Sequence, residues 1–418
     1  MPSFDVSRVR QQFPALGRTV SGEPAVYFDG PAGSQVPQGV IDAIYRYFTE
    51  CNANHGGVFA TSRQSDGILD EAHRAVADLV GTKDADLVAF GANMTTLTLA
   101  LSRALSKTWQ PADEVIVSRL DHDANVTPWV LAARDAGATV HHIAVRESDC
   151  TLDLEDFKAK LSSKTKLVAV GCASNAVGTV NPVAEITKLA HAVGAQVFLD
   201  AVHYAPHAAI DVTAWDCDYL ACSAYKFFGP HVGVLYCKRQ WMESLPVYKL
   251  RPATDELPGR WETGTQNHEG IAGVLAAVEY LAALGREVSP APIGPPMARR
   301  PALLAAYAVI AEYERKLVTQ LLDGLAKLKS VRVWGITDRA KFDQRLPTVS
   351  ITHAKLAPQK LAEHLADEGV FVWSGNYYAL PLTQALGREP EGMVRIGFLH
   401  YNTEEEVDRL LSLLEDLE

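Results

Sequence analysis

The sequence predicts an α/β protein: a large domain with a mostly parallel seven-stranded sheet in an α/β/α sandwich, followed by a smaller C-terminal α+β domain. Three observations carry this expectation. Seven short apolar runs alternate with helix-length amphipathic segments between about Val26 and Gly285. The runs read as strands buried on both faces, which is the mark of a parallel sheet covered by helices. The alternation then stops at Glu287–Arg300, a stretch rich in Pro and small residues, beyond which a long helix and several short strands follow.

Taken in order, Val6–Phe13 reads as an N-terminal helix. Strands are expected at Leu87–Phe90, Glu114–Ser118, Thr139–Ile143, Leu167–Gly171, Gln196–Leu199, Tyr219–Cys222 and Gly233–Cys237. Between them, Gly67–Val80, Met94–Leu105, Asn125–Ala136, Leu154–Leu161 and Val183–Ala192 have helical length and amphipathicity. After the connector come a helix over Ala302–Leu328, strands at Val331–Trp334, Thr348–Thr352, Val370–Trp373 and Met393–Gly397, and helices over Ala357–Glu368 and Glu404–Leu417. The expected division is residues 1–25 as an N-terminal segment packing with the small domain, 26–285 as the large domain and 286–418 as the small one. No internal repeat or low-complexity tract interrupts it.

Composition narrows the class. The chain has 418 residues, 48% hydrophobic and 21% charged, as in soluble globular proteins. A net charge of −11, with no basic run interleaved with aromatics, argues against a nucleic-acid partner. The start, MPSFDVSRVRQQFPAL, lacks the apolar core of a signal peptide, and no apolar run is long enough to span a bilayer. A cytoplasmic protein is expected. The six cysteines show no CxxC spacing and most sit in apolar strand-like text, so they read as buried, reduced thiols. None occurs after Cys237.

Strand ends carry the chemistry. Ligands of such sheets bind at the carboxyl ends of strands, where Asp200 and Lys226 fall. A carboxylate that keeps a pyridine nitrogen protonated, and a lysine that holds an aldehyde as a Schiff base, together suit pyridoxal 5′-phosphate (PLP). Asp and Lys also follow strands in proteins without any cofactor, so the pair needs company. Gly91-Ala92-Asn93-Met94-Thr95-Thr96 runs from a strand into a helix and can cradle a phosphate, although the same residues cap helices that bind nothing. His122, after the next strand, can lie on a pyridine ring or face solvent. Asn175 can donate to the cofactor's phenolic oxygen or cap a turn. His203 and His207 stand four apart, but Pro206 interrupts them and Asp200 is the only obvious third ligand, so no metal site is expected. Arg395, a lone charge in an apolar strand, needs an anion, either an internal acid or a substrate carboxylate. The loop Trp261–Asn267 is polar and can reach a neighbouring subunit's phosphate.

These residues match a known family. The sequence resembles the class V aminotransferase family of PLP-dependent fold-type I enzymes, and most closely its cysteine desulfurase-like branch, from Tyr27-Phe28-Asp29-Gly30 to Tyr401–Asp408. The resemblance implies that Lys226 in Ser223-Ala224-Tyr225-Lys226 is the Schiff-base lysine and that Asp200 pairs with the pyridine nitrogen. It places His122 on the ring and His203, often Gln in relatives, near the phenolic oxygen. It places Asn175 beside the ring and the substrate carboxylate. Ala92, Asn93 and Ser223 would hold the phosphate, with Thr265 supplied by the other protomer of a homodimer, and Arg395 would clamp the substrate carboxylate. His55 lies where relatives approach the substrate. Relatives usually carry His immediately before the lysine; Tyr225 stands here.

A larger departure concerns sulfur. Desulfurases of this branch carry a loop reading roughly Thr-Gly-His-His-Cys-Ala-Met-Pro, whose Cys accepts the sulfur. The corresponding text is Ser374-Gly375-Asn376-Tyr377-Tyr378-Ala379-Leu380-Pro381, so Tyr378 falls on the cysteine position. A phenol does not accept sulfane sulfur as a thiolate does. The expected activity is that of a PLP-dependent lyase or transferase that binds a small α-amino acid as an external aldimine. β-Elimination of the C–S lyase type, without a persulfide cysteine, is the leading reaction. Transamination, epimerisation and β-decarboxylation are alternatives, and a non-catalytic PLP-fold binding protein is a distant one. Tyr377 and Tyr378 would act as acid or as an aromatic wall.

Overall fold

The computed structural model describes residues 4–289 and 297–418. The large sheet comprises β1 (Val88–Gly91), β2 (Glu114–Ser118), β3 (Thr139–Ile143), β4 (Thr165–Gly171), β5 (Gln196–Asp200), β6 (Tyr219–Ser223) and β7 (Gly233–Cys237). Across the sheet they run in the order β1-β7-β6-β5-β4-β2-β3. Only β7 is antiparallel to its neighbours; the other pairings are parallel. The segment 224–232 between β6 and β7 is shorter than the roughly dozen residues a parallel crossover needs, which forces that reversal. The carboxyl ends of β1, β2, β4, β5 and β6 therefore share one edge.

Strands β6 and β7 are buried at every position, whereas the edge strand β3 is buried only at Ile143. Polar His141 and His142 on that edge discourage pairing with another sheet. Two strands extend further than their apolar text implies: Asp200 pairs with Ala221 and Gly171, and Ser223 pairs with Gly233. Both polar side chains thus stand on the last ladder residue and share the strand's rigidity. The helix expected from Gly67 begins at Ala60, because Ser62 and Ser65 take buried positions that a hydrophobic pattern does not reveal. The long helix runs Arg299–Leu325 instead of starting at Ala302, its first turn held by Arg299 pairing with Glu71, Asp78 and Glu279. Of the connector 287–300, residues 290–296 lie outside the described residues.

A second sheet contains β8 (Val331–Trp334), β9 (Thr348–His353), β10 (Trp373–Gly375) and β11 (Met393–Gly397), antiparallel throughout in the order β8-β9-β11-β10. It has its own apolar core, including Leu321, Ile351, Leu361, Ile396 and Leu410. The run expected as one strand at Val370–Trp373 is split. Val370–Phe371 pairs in parallel with Val26–Tyr27, and the chain joins β10 only at Trp373. Phe13 packs against Phe228 and Tyr280 on one side and Tyr401 on the other, so the N-terminal segment touches both halves.

The two sheets meet through the loop after β4. Ser350 Oγ donates to Ala176 O at 2.6 Å, and Leu346 N donates to Gly178 O at 2.7 Å. Gly178 has φ +78°, and a Cβ there would lie 2.6 Å from Thr348 O. Only glycine meets both demands. Gly178→Ala is expected to lower stability by about 1–3 kcal/mol, read as a lower urea midpoint. Gly67→Ala, in a helix interior with no heavy atom within 4 Å of the added methyl, is expected to raise it slightly. No helix among the described residues is long and apolar enough to cross a membrane.

Candidate active site

Lys226 lies in the short turn Ala224–Lys226 that follows β6, and its ammonium donates to Pro31 O. The side chain is buried near three other ionisable groups. Burial first, and the Arg395 cation second, press its pKa down to about 7, while Asp200 and Asp29 pull the other way. A lysine so placed is partly a free amine at neutral pH, the form that attacks an aldehyde. Asp200, at the end of β5, accepts from Val202 N at 2.8 Å. Burial raises its pKa to about 6, opposed by that hydrogen bond and by Lys226.

His122 follows β2. Its Nδ1 accepts from Ala124 N at 3.0 Å, which leaves the proton of the neutral ring on Nε2. Burial, Lys226 and Arg395 together lower its pKa to about 4. The ring of Tyr378 stacks on it with centroids 5.4 Å apart and planes 20° apart. Arg395, on β11, is buried and donates to Asn175 O at 2.9 Å, with its guanidinium 4.4 Å from the centre of the Tyr377 ring. Among the described residues it makes no salt bridge, and desolvation lowers its pKa to about 10. Asp29 acts on it electrostatically but forms no salt bridge with it. Asn175 Nδ2 donates to Tyr377 O at 2.9 Å, and its Oδ1 is buried with no partner.

His203, three residues past Asp200, is bonded through Nε2 to Thr348 Oγ1 at 3.0 Å. His207 turns its Nδ1 to Glu314 Oε2 at 2.8 Å, and no cluster of three metal-ligating side chains occurs among the described residues. His55 and Thr265 are exposed, and no contact among the described residues joins either to the Lys226 cluster. The aromatic contact His55 makes is edge-on to His268 at 5.9 Å.

Two acids escaped the sequence reading. Asp121 accepts from Gly171 N at 2.9 Å and from Asn125 Nδ2 at 3.1 Å, tying the His122 loop to the end of β4. Its burial, and secondarily the nearby Asp200, raises its pKa to about 7. Asp29 has an unpartnered, buried Oδ1 and a pKa raised by burial to about 6, with Arg395 and Lys226 opposing. The only signal for Asp29 was its place between an apolar pair and Gly30-Pro31.

PLP suits this set. The buried amine and the buried acid lie at adjoining strand ends. Ser223 Oγ accepts from Met94 N at 3.0 Å, so its own hydrogen remains available for a phosphate oxygen. Asn93 caps the helix Met94–Ser106 through Thr96 N, at 2.9 Å. A Cβ on Gly233 would lie 2.4 Å from the Asn93 carbonyl carbon, so the start of β7 closes the floor of that turn. Ala92 beside it is small and exposed. An NMR titration of the cofactor-free chain is expected to show the His122 ring protonating near pH 4, below the roughly 6.5 of a free histidine. Its ring is then neutral throughout the physiological range, and protonation at the ordinary value would contradict the desolvated pocket.

Comparison with known proteins agrees with the geometry. The family model described as Aminotransferase class-V matches residues 26–291 and 304–410. A probable cysteine desulfurase of Synechocystis sp. (strain PCC 6803) is 31% identical over 99% of this chain and 96% of that protein. A cysteine desulfurase of Enterobacter sp. (strain 638) is 32% identical over 98% and 97%. Among solved structures, the apo cysteine desulfurase of Thermococcus onnurineus NA1 superposes with a TM-score of 0.87 at 28% identity, covering 100% of this chain and 99% of that one. The Escherichia coli cysteine desulfurase CsdA, in an S-sulfonic acid form, gives 0.84 at 26% identity, covering 99% and 98%. With the family model and these relatives spanning nearly the whole chain, the protein belongs to the PLP-dependent class V aminotransferase family, in its cysteine desulfurase-like branch.

Proposed function

We propose that this enzyme cleaves the Cβ–S bond of a cysteine-like amino acid by β-elimination and releases the sulfur as a free small molecule, with no thiol of its own as acceptor. One observation carries this reading. The position at which a persulfide-forming cysteine is expected holds Tyr378, 71% exposed, stacked on His122 and held in left-handed backbone at φ +58°. All six thiols of the chain are buried, and burial raises the pKa of each. A buried, protonated thiol is a poor nucleophile.

When bound, PLP supplies an electron sink that acidifies the substrate Cα–H. Lys226 would tether it and would afterwards take the Cα proton on Nζ. Asp200 holds the proton on the pyridine nitrogen; a carboxyl whose pKa is about 6 is mostly ionised above that pH and can do so. His122 would cover the ring face, and His203 would stand beside the phenolic oxygen. Ala92, Asn93 and the Ser223 hydroxyl hold the phosphate. Arg395 binds the substrate carboxylate with the N–H groups not spent on Asn175 O, and Asn175 adds its amide. Tyr377 and Tyr378 wall the region where the β-substituent lies. For cysteine the balance is substrate plus water giving pyruvate, ammonia and hydrogen sulfide.

The site is complete, in this reading, only as a homodimer. Val58 and Phe59, which flank the loop of His55, are 87% and 55% exposed, and Tyr45 and Phe48 nearby in sequence are exposed as well. Apolar side chains in that density favour burial against a second copy, which would bring in Thr265. Sedimentation of the purified chain as a dimer is expected, and a monomer at micromolar concentration would refute this arrangement.

A second reading is desulfuration onto an external thiol acceptor, which the names of the relatives favour. Holoenzyme given cysteine, S-substituted cysteines and cysteine sulfinate is expected to form pyruvate and ammonia in equal amounts. Alanine, with sulfur recovered on an added thiol, would favour the second reading. Amino transfer to a keto acid, racemised amino acid, or no turnover would overturn both.

A further inference from the structure

We infer that Thr348 is a positioning residue that sets the tautomer of His203, so that the ring offers an Nδ1–H to the phenolic oxygen of the cofactor. The inference rests on the placement of His203 beside that oxygen given under the proposed function. It comes from counting one hydrogen. Thr348 opens β9 and has 0% relative exposure, so no solvent reaches its hydroxyl. Its Oγ1 lies 3.0 Å from His203 Nε2, and that is the only hydrogen bond its side chain makes among the described residues. A buried hydroxyl places its hydrogen on an acceptor, and the acceptor in reach is Nε2.

Nε2 then carries no proton. The groups that face His203 are His207 edge-on at 5.4 Å, Arg395 from β11 and Lys226 from the turn after β6. All three disfavour a positive ring, as does burial, and keep it neutral. A neutral imidazole has a single N–H; with Nε2 accepting, that hydrogen sits on Nδ1. His207 turns its Nδ1 to Glu314, and among the described residues no hydrogen bond joins its buried, unpartnered Nε2 to His203, whose ring it meets edge-on.

Thr348 also pairs with Gly397 across β9 and β11, two residues from Arg395 on the same strand. The strand pair that carries the substrate clamp thus also orients a donor on the cofactor side.

The test reads the visible absorbance of the lysine–cofactor linkage against pH in holoenzyme without substrate. A donor to the phenolic oxygen stabilises its anion and weakens the oxygen's hold on the linkage proton. Thr348→Val is therefore expected to raise the titration midpoint by about one pH unit, the scale of one hydrogen bond to a charged group. Thr348→Ser keeps the hydroxyl and is expected to restore the wild-type midpoint. In a His203→Gln background, where the amide brings its own N–H, Thr348→Val is expected to leave the midpoint unmoved. Nitrogen NMR shifts of the wild-type ring supply a readout that needs no variant, and are expected to show Nδ1 protonated and Nε2 bare. A wild-type midpoint in Thr348→Val with the band intact, or the reverse nitrogen pattern, would overturn the tautomer assignment. Absence of any visible band in wild-type protein reconstituted with PLP would instead overturn the cofactor placement on which it rests.

Discussion

Two buried cations without a salt-bridge partner govern this site. Burial lowers the pKa of both, Arg395 adds to the depression at Lys226, and the acids near them, Asp29 and Asp200, are themselves held up by burial. Burying charge in a protein interior costs several kcal/mol per ion unless something compensates it. The fold bears that cost here because anions are expected to arrive: a phosphate-bearing cofactor and an amino-acid carboxylate. The same desolvation makes Lys226 a nucleophile at neutral pH and keeps His122 uncharged. One electrostatic arrangement therefore serves affinity and reactivity together.

That arrangement depends on two sheets being held in register. Asp200 and Lys226 come from the large sheet, Arg395 and Thr348 from the small one, and the loop after β4 joins them through Ala176, Gly178 and Asn175. Tyr378 completes the joint from the opposite side, accepting from Asp123 N at 2.6 Å while its ring lies on His122. Each contact crosses from one half to the other, so a shift between the sheets would alter the Arg395–Asn175 hydrogen bond, the ring contact and the His203 hydrogen bond at once.

Much of this was legible in the amino-acid order, for a physical reason. Strands buried on both faces write continuous apolar text, and the polar residue that ends such a run stands at the ligand edge. Lys226, Asp200, His122 and Asn175 were found that way, and all fall at that edge. Arg395 was visible as a charge inside an apolar run. What stayed hidden depends on long-range partners. Asp121 and Asp29 read as ordinary loop acids, because only the folded chain brings Gly171 N to the first and two cations to the second. The pairing of Val26–Tyr27 with Val370–Phe371 joins segments far apart in sequence, and no local pattern announces it. His55 and Thr265 remain outside the single chain's cluster: both are exposed, and the aromatic partner of His55 is His268.

The placement of the thiols has a consequence for the chemistry of survival. An exposed, ionised cysteine climbs an oxidation ladder whose upper rungs are irreversible, and the Escherichia coli relative is described in its S-sulfonic acid form. Here Tyr378 occupies the solvent-facing place and all six cysteine thiols lie in the interior. Peroxide or an alkylating agent meets a phenol at that position and no exposed thiol among the described residues.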